Sequence, residues 1–264
     1  MQPNGDGKRL LGRVRKARIA DLIRSRGFMS SSALAEAFGV SEMTVRRDLA
    51  ELDIQGELIR THGGAVAPDG AAASVEPAFD DRSQANRSAK LRIAATAERF
   101  IQRGQAVALD VGTTTYELAR CLASRNDVKV FTNNLRIAAL LGTHAVEIYV
   151  LGGRVRFNEM SLCGPVAVQQ ARKLWFETAF IGVSALAPAG FFDYSIEEVE
   201  VKQMFLERAA HRIVLCDSSK FDRISLVQVG RLDEFHTLIT DAPPPKQLAA
   251  ALEGAGVSVV VAAE

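Results

Sequence analysis

Asp110-Val111-Gly112-Thr113-Thr114-Thr115 packs a carboxylate, a glycine and three successive hydroxyls into six residues. It follows the apolar run Ala106-Val107-Ala108-Leu109 and opens a helical pattern. A glycine admits a ligand close to the backbone, and free N–H groups at the positive end of a helix attract anions, so the segment has the chemistry of a phosphate cradle. It lacks the Gly-Lys-Ser/Thr ending of a P-loop. The same residues also fit an ordinary helix cap by Thr113 or Thr114.

Three further polar segments follow short apolar runs: Thr132-Asn133-Asn134, Gly152-Gly153-Arg154 and Asp217-Ser218-Ser219-Lys220. Asn133 can hydrogen-bond a hydroxyl, Gly152 and Gly153 can admit a ligand to the backbone, and Lys220 can neutralise phosphate. Each also has a plainer reading. Asn133 serves as a turn former, the glycine pair as a loop, and Asp217 with Lys220 as an ion pair.

A different chemistry resides in Arg46-Arg47. Ser41 caps a helix in which Val45, Leu49 and Leu52 recur at i, i+4 and i+7 and turn inward. At about 100° per residue, Met43 and Arg47 then point away from the core, flanked by Thr44 and Arg46. Such a helix can enter a DNA major groove, where an arginine donates two hydrogen bonds to a guanine edge. Adjacent helical residues diverge too far for both arginines to face a base. One reads a base and the other holds phosphate, in an order the sequence leaves open.

The elements that position these residues follow from local patterning. Ser31 or Ser32 caps a preceding helix with Leu34, Ala35 and Phe38 on its buried face, and Gly39 ends it through a left-handed backbone. Residues 8–26 contain eight Lys or Arg against the single acid Asp21, a positive helix suited to a phosphate backbone. After Gly56, Glu57-Leu58-Ile59-Arg60 reads as a strand, His62-Gly63-Gly64 as a turn and Ala65-Val66-Ala67 as the returning strand of a small wing. The Ala-rich stretch 66–74, with Pro68, Asp69 and Gly70, reads as a linker.

Beyond it helices and short apolar strands alternate. Helices are expected at 90–102, 114–125, 135–141, 165–174 and 196–210. Strands are expected at 106–110, 128–132, 146–151, 179–183, 212–216, 237–240 and 257–261. The rhythm argues for a doubly wound α/β domain with a mostly parallel sheet. Ligands bind such sheets beyond the carboxyl ends of the strands, where the polar segments fall.

The 264 residues, 48% of them hydrophobic, suffice for one small and one larger core. The net charge of +1 hides a basic beginning offset by the acid-richer remainder. The polar N-terminus gives no sign of a signal peptide, and no apolar run approaches the roughly 18 residues of a membrane helix. Cys121, Cys163 and Cys216 are dispersed and the four histidines scattered, so no metal site, disulfide framework or cofactor is expected. A cytoplasmic protein is the natural reading.

The run Val40-Ser41 through Thr44-Val45-Arg46-Arg47-Asp48-Leu49, with Arg60-Thr61-His62-Gly63-Gly64-Ala65, resembles the winged helix-turn-helix of the DeoR family of bacterial transcription regulators. Val45 stands where the family more often has Ile. Met43 lies at a variable position, so the operator sequence does not follow. The resemblance implies a double-stranded DNA partner reached by Ser41, Met43, Thr44, Arg46, Arg47, Arg60, His62 and Gly63. It extends to the family's C-terminal sensor domain, whose motif order is matched by Asp110 to Thr114, Thr132-Asn133, Gly152-Gly153, Lys202 and Asp217 to Lys220. That domain is similar in fold to ribose-5-phosphate isomerase and binds phosphorylated sugars. The loop Gly112, Thr113, Thr114 and Thr115 is then expected to hold the phosphate, with Asp110, Asn133, Glu198, Lys202, Asp217 and Lys220 toward the sugar. Glu197, Glu198 and Glu200 compete for one role, and Lys202 also reads as part of a solvated helix face.

The chain is therefore expected to comprise a DNA-binding domain at 1–66, a linker at 67–75 and an α/β sensor domain at 76–264. The resemblance implies a repressor of carbohydrate catabolism relieved by a sugar phosphate and acting as a homo-oligomer, dimer or tetramer. It is read as a regulator and not an enzyme, the alternative being an isomerase-like enzyme with a DNA-binding appendage.

Overall fold

The computed structural model describes residues 5–26, 28–60, 64–66 and 76–263, with the side chains of 5–11, 25, 26, 28 and 66 outside the description. His62, Gly63 and the expected linker at 67–75 lie outside the described residues. The chain divides into two compact units, residues 1–76 with 222–226, and residues 77–221 with 227–264. The inclusion of 222–226 in the first unit has no counterpart in the sequence reading.

The first unit contains α1 (Gly5–Arg26), β1 (Phe28–Ser30), α2 (Ser31–Phe38), α3 (Glu42–Ile54), β2 (Ile59–Arg60) and β3 (Gly64–Val66). Its core joins Ile19 and Ile23 of α1 to Leu34 of α2 and to Val45, Leu49 and Leu52 of α3, the spacing expected for that helix. The cap of α2 is Ser30, not Ser31 or Ser32: its side chain accepts the Ala33 N–H at 3.1 Å. Gly39 ends α2 with φ +62°, as its position implied. The wing strands β2 and β3 pair antiparallel, and β1, an unexpected third strand, pairs with the other edge of β3. Gly64 makes that contact possible, since a Cβ there would lie 2.0 Å from the Met29 carbonyl oxygen.

The second unit begins with α4 (Phe79–Gln84) and α5 (Arg87–Glu98). It continues with β4 (Ala106–Leu109), α6 (Thr113–Leu122), β5 (Lys129–Thr132), α7 (Leu135–Leu141) and β6 (Glu147–Val150). A hairpin, β7 (Arg154–Arg156) and β8 (Ser161–Cys163), leads to α8 (Pro165–Ala171) and β9 (Phe176–Gly182). Then come β10 (Ala185–Ala187), β11 (Gly190–Asp193), α9 (Ile196–Glu207), β12 (Ala209–Leu215), β13 (Val227–Gly230), β14 (Thr237–Thr240), α10 (Lys246–Gly254) and β15 (Ser258–Val261).

Seven strands form one parallel sheet in the order β15-β14-β12-β9-β4-β5-β6. The chain fills one side from β4 to β6, returns to the other side of β4 as β9, and continues outward. The order therefore reverses between β4 and β9. Alternate residues of β4 feed opposite layers: Val107 and Leu109 pack with Ile93 of α5, Leu118 and Leu122 of α6 and Ile137 of α7. Ala108 joins Val199 and Phe205 of α9 and Leu248 of α10 on the other face. Both faces are covered by helices, as a doubly wound sheet requires.

Candidate effector site and DNA-reading face

The reversal of strand order places the carboxyl end of β4 beside that of β9, the position at which open α/β sheets bind ligands. Asp110 follows β4 and is fully buried, and its Oδ2 accepts the Gly182 N–H at 3.1 Å. Lys202 of α9 donates to the same carboxylate and, at 3.0 Å, to the Gly182 carbonyl. Its ammonium also lies 3.0 Å from the carboxylate of Asp193, which ends β11. With 1% exposure, Lys202 is no part of a solvated helix face. Val199 and Phe205 flank it at i−3 and i+3 on the apolar side of α9, and that spacing was the available signal.

Glu198 stands one turn before Lys202, 2% exposed, and takes hydrogen bonds from the Ser161 hydroxyl and, at 3.1 Å, from Arg156. This settles which of the three acids faces inward, for Glu197 pairs with the exposed Arg154 and Glu200 is exposed. Burial pushes Glu198 up to about 7, with Asp193 adding to the effect and Lys202, Ser161 and Arg156 opposing it. Asp110 is likewise raised by burial, to about 6, although Lys202 favours its charged form. Burial acts to lower Lys202, but Asp110, Asp193 and Glu198 outweigh it and raise its pKa. Asp193, Ser161 and Arg156 were missed in the sequence because the hairpins carrying them are short and their partners are distant in the chain.

Asn133 is fully buried after β5 and donates to the Leu162 carbonyl at 3.1 Å, while its own amide oxygen has no hydrogen-bond partner among the described residues. Asn134 is the turn former of the pair, accepting the N–H groups of Arg136 and Ile137 to cap α7. Gly152 donates its N–H to Gln170, and at Gly153 an added Cβ would meet the Cys163 carbonyl at 2.6 Å. Gly153 thus admits the backbone of β8, while Gly152 lies against the Gln170 and Val166 side chains of α8, uses the sequence reading did not contain.

At α6 the cap position belongs to Gly112, with φ +135° and no side-chain cap. This corrects the reading of Thr113 or Thr114 as the cap. Thr115 donates to the Gly112 carbonyl at 3.0 Å, while Thr113 and Thr114, each 7% exposed, make no side-chain hydrogen bond among the described residues. Asp217 does not pair with Lys220. It accepts from the Ser219 N–H at 3.2 Å and from Asn86 at 3.1 Å, while half-buried Lys220 makes no ion pair among the described residues.

In the first unit Ser41 caps α3, accepting the Thr44 N–H at 3.3 Å, and its hydroxyl meets that of Thr44 at 2.9 Å. Met43 is 73% exposed, and Arg46, Arg47 and Arg60 are exposed. Arg46 lies 3.3 Å from Glu42, a helical i, i+4 pair, whereas Arg47 has no side-chain hydrogen bond among the described residues. The charge of α1 is partly spent within the unit. Arg15 pairs with the buried Asp48 at 2.6 Å, Lys16 with Glu51 at 2.5 Å, and Arg24 with Glu57. Arg13 and Arg18 stay exposed.

No helix among the described residues is long and apolar enough to cross a membrane, and among them no cluster of His, Cys, Asp or Glu is placed to hold a metal ion.

A helix-turn-helix whose second helix exposes Met43, Arg46 and Arg47, carried with a doubly wound sheet whose buried polar groups gather at its switch point, defines a DNA-binding regulator with a sensor domain. The chain belongs to the DeoR family: the DeoR-like helix-turn-helix domain matches residues 15–71 and the DeoR C-terminal sensor domain residues 85–242. It is 35% identical to a putative aga operon transcriptional repressor of Escherichia coli O157:H7, covering 95% of this chain and 94% of that one. It is 31% identical to the glycerol-3-phosphate regulon repressor of Escherichia coli K12, over 86% and 90% of the two chains. With the transcriptional repressor CsqR of the same strain it shares 30% identity over 97% of each. Ribose 5-phosphate isomerase A of Methanocaldococcus jannaschii aligns with a TM-score of 0.39 and 16% identity, over 52% of this chain and 55% of that one.

Proposed function

We propose that the chain represses a carbohydrate-catabolism operon and releases its operator when a phosphorylated sugar binds at the switch point of the larger sheet. The observation that carries this reading is the first turn of α6. Gly112 leaves it without a side-chain cap, and Thr113 and Thr114 make no side-chain hydrogen bond among the described residues. Backbone N–H groups at a helix start complement a phosphate. Lys220 supplies an uncommitted cation, while Asn133, Glu198 and Asp217 offer groups for sugar hydroxyls. The repressor names of the relatives, one of them for a glycerol-3-phosphate regulon, support the same direction.

Arg47 reads the base and Arg46 holds phosphate, because Arg46 is already engaged with Glu42 through a weak surface pair that phosphate readily replaces. A homo-oligomer, dimer or tetramer, presents paired recognition helices to half-sites about 34–36 Å apart or at multiples of that spacing. Release requires that the sugar phosphate favour the arrangement with lower DNA affinity.

The sensor binds without turning over. Lys202 donates to Asp110 and Gly182 and forms an ion pair with Asp193, which makes it a fixed cation and not a mobile acid or base. Calorimetry with a panel of sugar phosphates tests the pocket: Thr114→Ala and Lys220→Ala are expected to weaken binding, and equal affinity in both variants removes the site from this role. Deuterium exchange into bound sugar phosphate, if found, would establish catalysis.

A further inference from the structure

A second cleft, of 560 Å³, opens between α4, α6 and α7, and Phe79, Arg87, Tyr116, Glu117, Arg120 and Arg136 line it. Glu117 is only 6% exposed, yet its Oε2 has no hydrogen-bond partner among the described residues; its one ion pair is a long 3.4 Å contact with Arg120. A carboxylate stripped of water and short of donors is costly, so a donor is expected from outside the chain.

The cations of the cleft show the opposite shortage. Arg136 sits over the Phe79 ring, its Cζ 4.3 Å from the ring centre, and Phe79 in turn meets Tyr116 edge-on at 5.7 Å. That stacking fixes the guanidinium, whose buried Nε has no hydrogen-bond acceptor among the described residues. Arg87 is exposed and, among the described residues, makes no ion pair. One cleft thus holds a buried carboxylate oxygen with no hydrogen-bond donor among the described residues and a stacked guanidinium whose buried Nε has no acceptor among them, with the exposed Arg87 in the same lining. Its volume lies within the roughly 300–1,000 Å³ of small-molecule sites.

We propose that this cleft is a second small-molecule site, separate from the switch point, for a polyhydroxylated anion. Ligand hydroxyls donate to Glu117, and a carboxylate or phosphate monoester pairs with Arg87 and Arg136. Guanidinium groups suit both kinds of anion because their paired N–H groups match two oxygens at once.

Titration calorimetry of the full chain with D-gluconate and with sorbitol 6-phosphate separates the two anion types. Binding of at least one is expected, weakened about tenfold or more by Arg87→Ala and by Glu117→Gln, the loss expected for one charge-assisted hydrogen bond. Any component of sorbitol 6-phosphate binding at the switch point is the one lost in Lys220→Ala, whereas the cleft component is the one lost in Arg87→Ala and Glu117→Gln, which distinguishes the two sites. Arg87 is exposed, so its replacement leaves the fold intact, and circular dichroism checks both variants. Three results would overturn the proposal: neither compound binding at millimolar concentration, binding unaffected by both cleft variants, or inorganic phosphate binding as tightly as sorbitol 6-phosphate.

Discussion

Lys202 and Asp110 lie 92 residues apart in the chain and meet at the reversal of the sheet, where the ammonium donates to the carboxylate with neither side chain more than 1% exposed. The pair joins α9 to the end of β4. Asp193 approaches the same ammonium from the end of β11, so three elements of the sensor unit depend on one cation.

Lys202→Met should therefore strand two carboxylates in the interior. A buried pair broken on one side costs about 3–5 kcal/mol, and the loss should appear as a lower urea midpoint for the sensor unit. Asp110→Asn combined with Lys202→Met should cost less than the sum of the two single changes, because the neutral amide no longer needs the cation. Additive losses would contradict the coupling.

Glu198 makes the stability of the sensor unit depend on pH. Its folded pKa, about 7, stands above the ordinary 4.5, so the folded state holds the proton more tightly than the unfolded chain. The stabilisation from the neutral buried acid is fully present below about 4.5 and is lost as the pH rises through about 7. It amounts to something on the order of 3 kcal/mol. Urea unfolding of the wild type and of Glu198→Gln across this range should show the wild type losing ground as pH rises. A pH-independent difference between them would count against this account.

Arg47→Ala should weaken binding to the operator by about 1–3 kcal/mol while leaving nonspecific binding to unrelated DNA little changed. Arg46→Ala should weaken binding to both DNAs and flatten the salt dependence. Mobility shifts at several salt concentrations decide between them, and the reverse pattern would exchange the two roles.

Gly64→Ala should disrupt the pairing of β1 with β3, since the new methyl would be driven into the Met29 carbonyl. Backbone cannot yield as a side-chain tip can. The DNA-binding unit should melt several degrees lower, a shift of about 4–8 °C for each kcal/mol lost in a unit this small. An unchanged melting curve would mean that β1 moves freely away from the wing.

Elements governed by local rules were legible in the chain. The Ser41 cap, the inward row Val45, Leu49 and Leu52, and the helix at 135–141 follow from residues within a few positions of one another. The sheet strands were legible as apolar runs, and their parallel arrangement as the alternation with helices. The β7–β8 hairpin and the strands β10, β11 and β13 were not, because segments of three or four residues carry too little periodicity and gain their stability from distant partners. The start of β9 at Phe176 was placed too late, and α10 was overlooked although Leu248 and Leu252 repeat at i, i+4.

In the binding regions, the sequence pointed to the glycine and hydroxyls of Gly112 to Thr115, because a strand ending in polar residues at a helix start is a local pattern. It also nominated Lys202 and three competing acids without choosing among their environments. The tertiary structure made the choice. It turned Glu198 inward and Glu197 outward, left Gly112 uncapped, gave Gly153 to a hairpin and Gly152 to a helix, and brought in Asp193, Ser161 and Arg156. Local sequence encodes backbone propensity and which face of an element is apolar, whereas the partner of a buried charge depends on the strand order that delivers it. Here that order reverses between β4 and β9, and the reversal brings Asp110 within reach of Lys202.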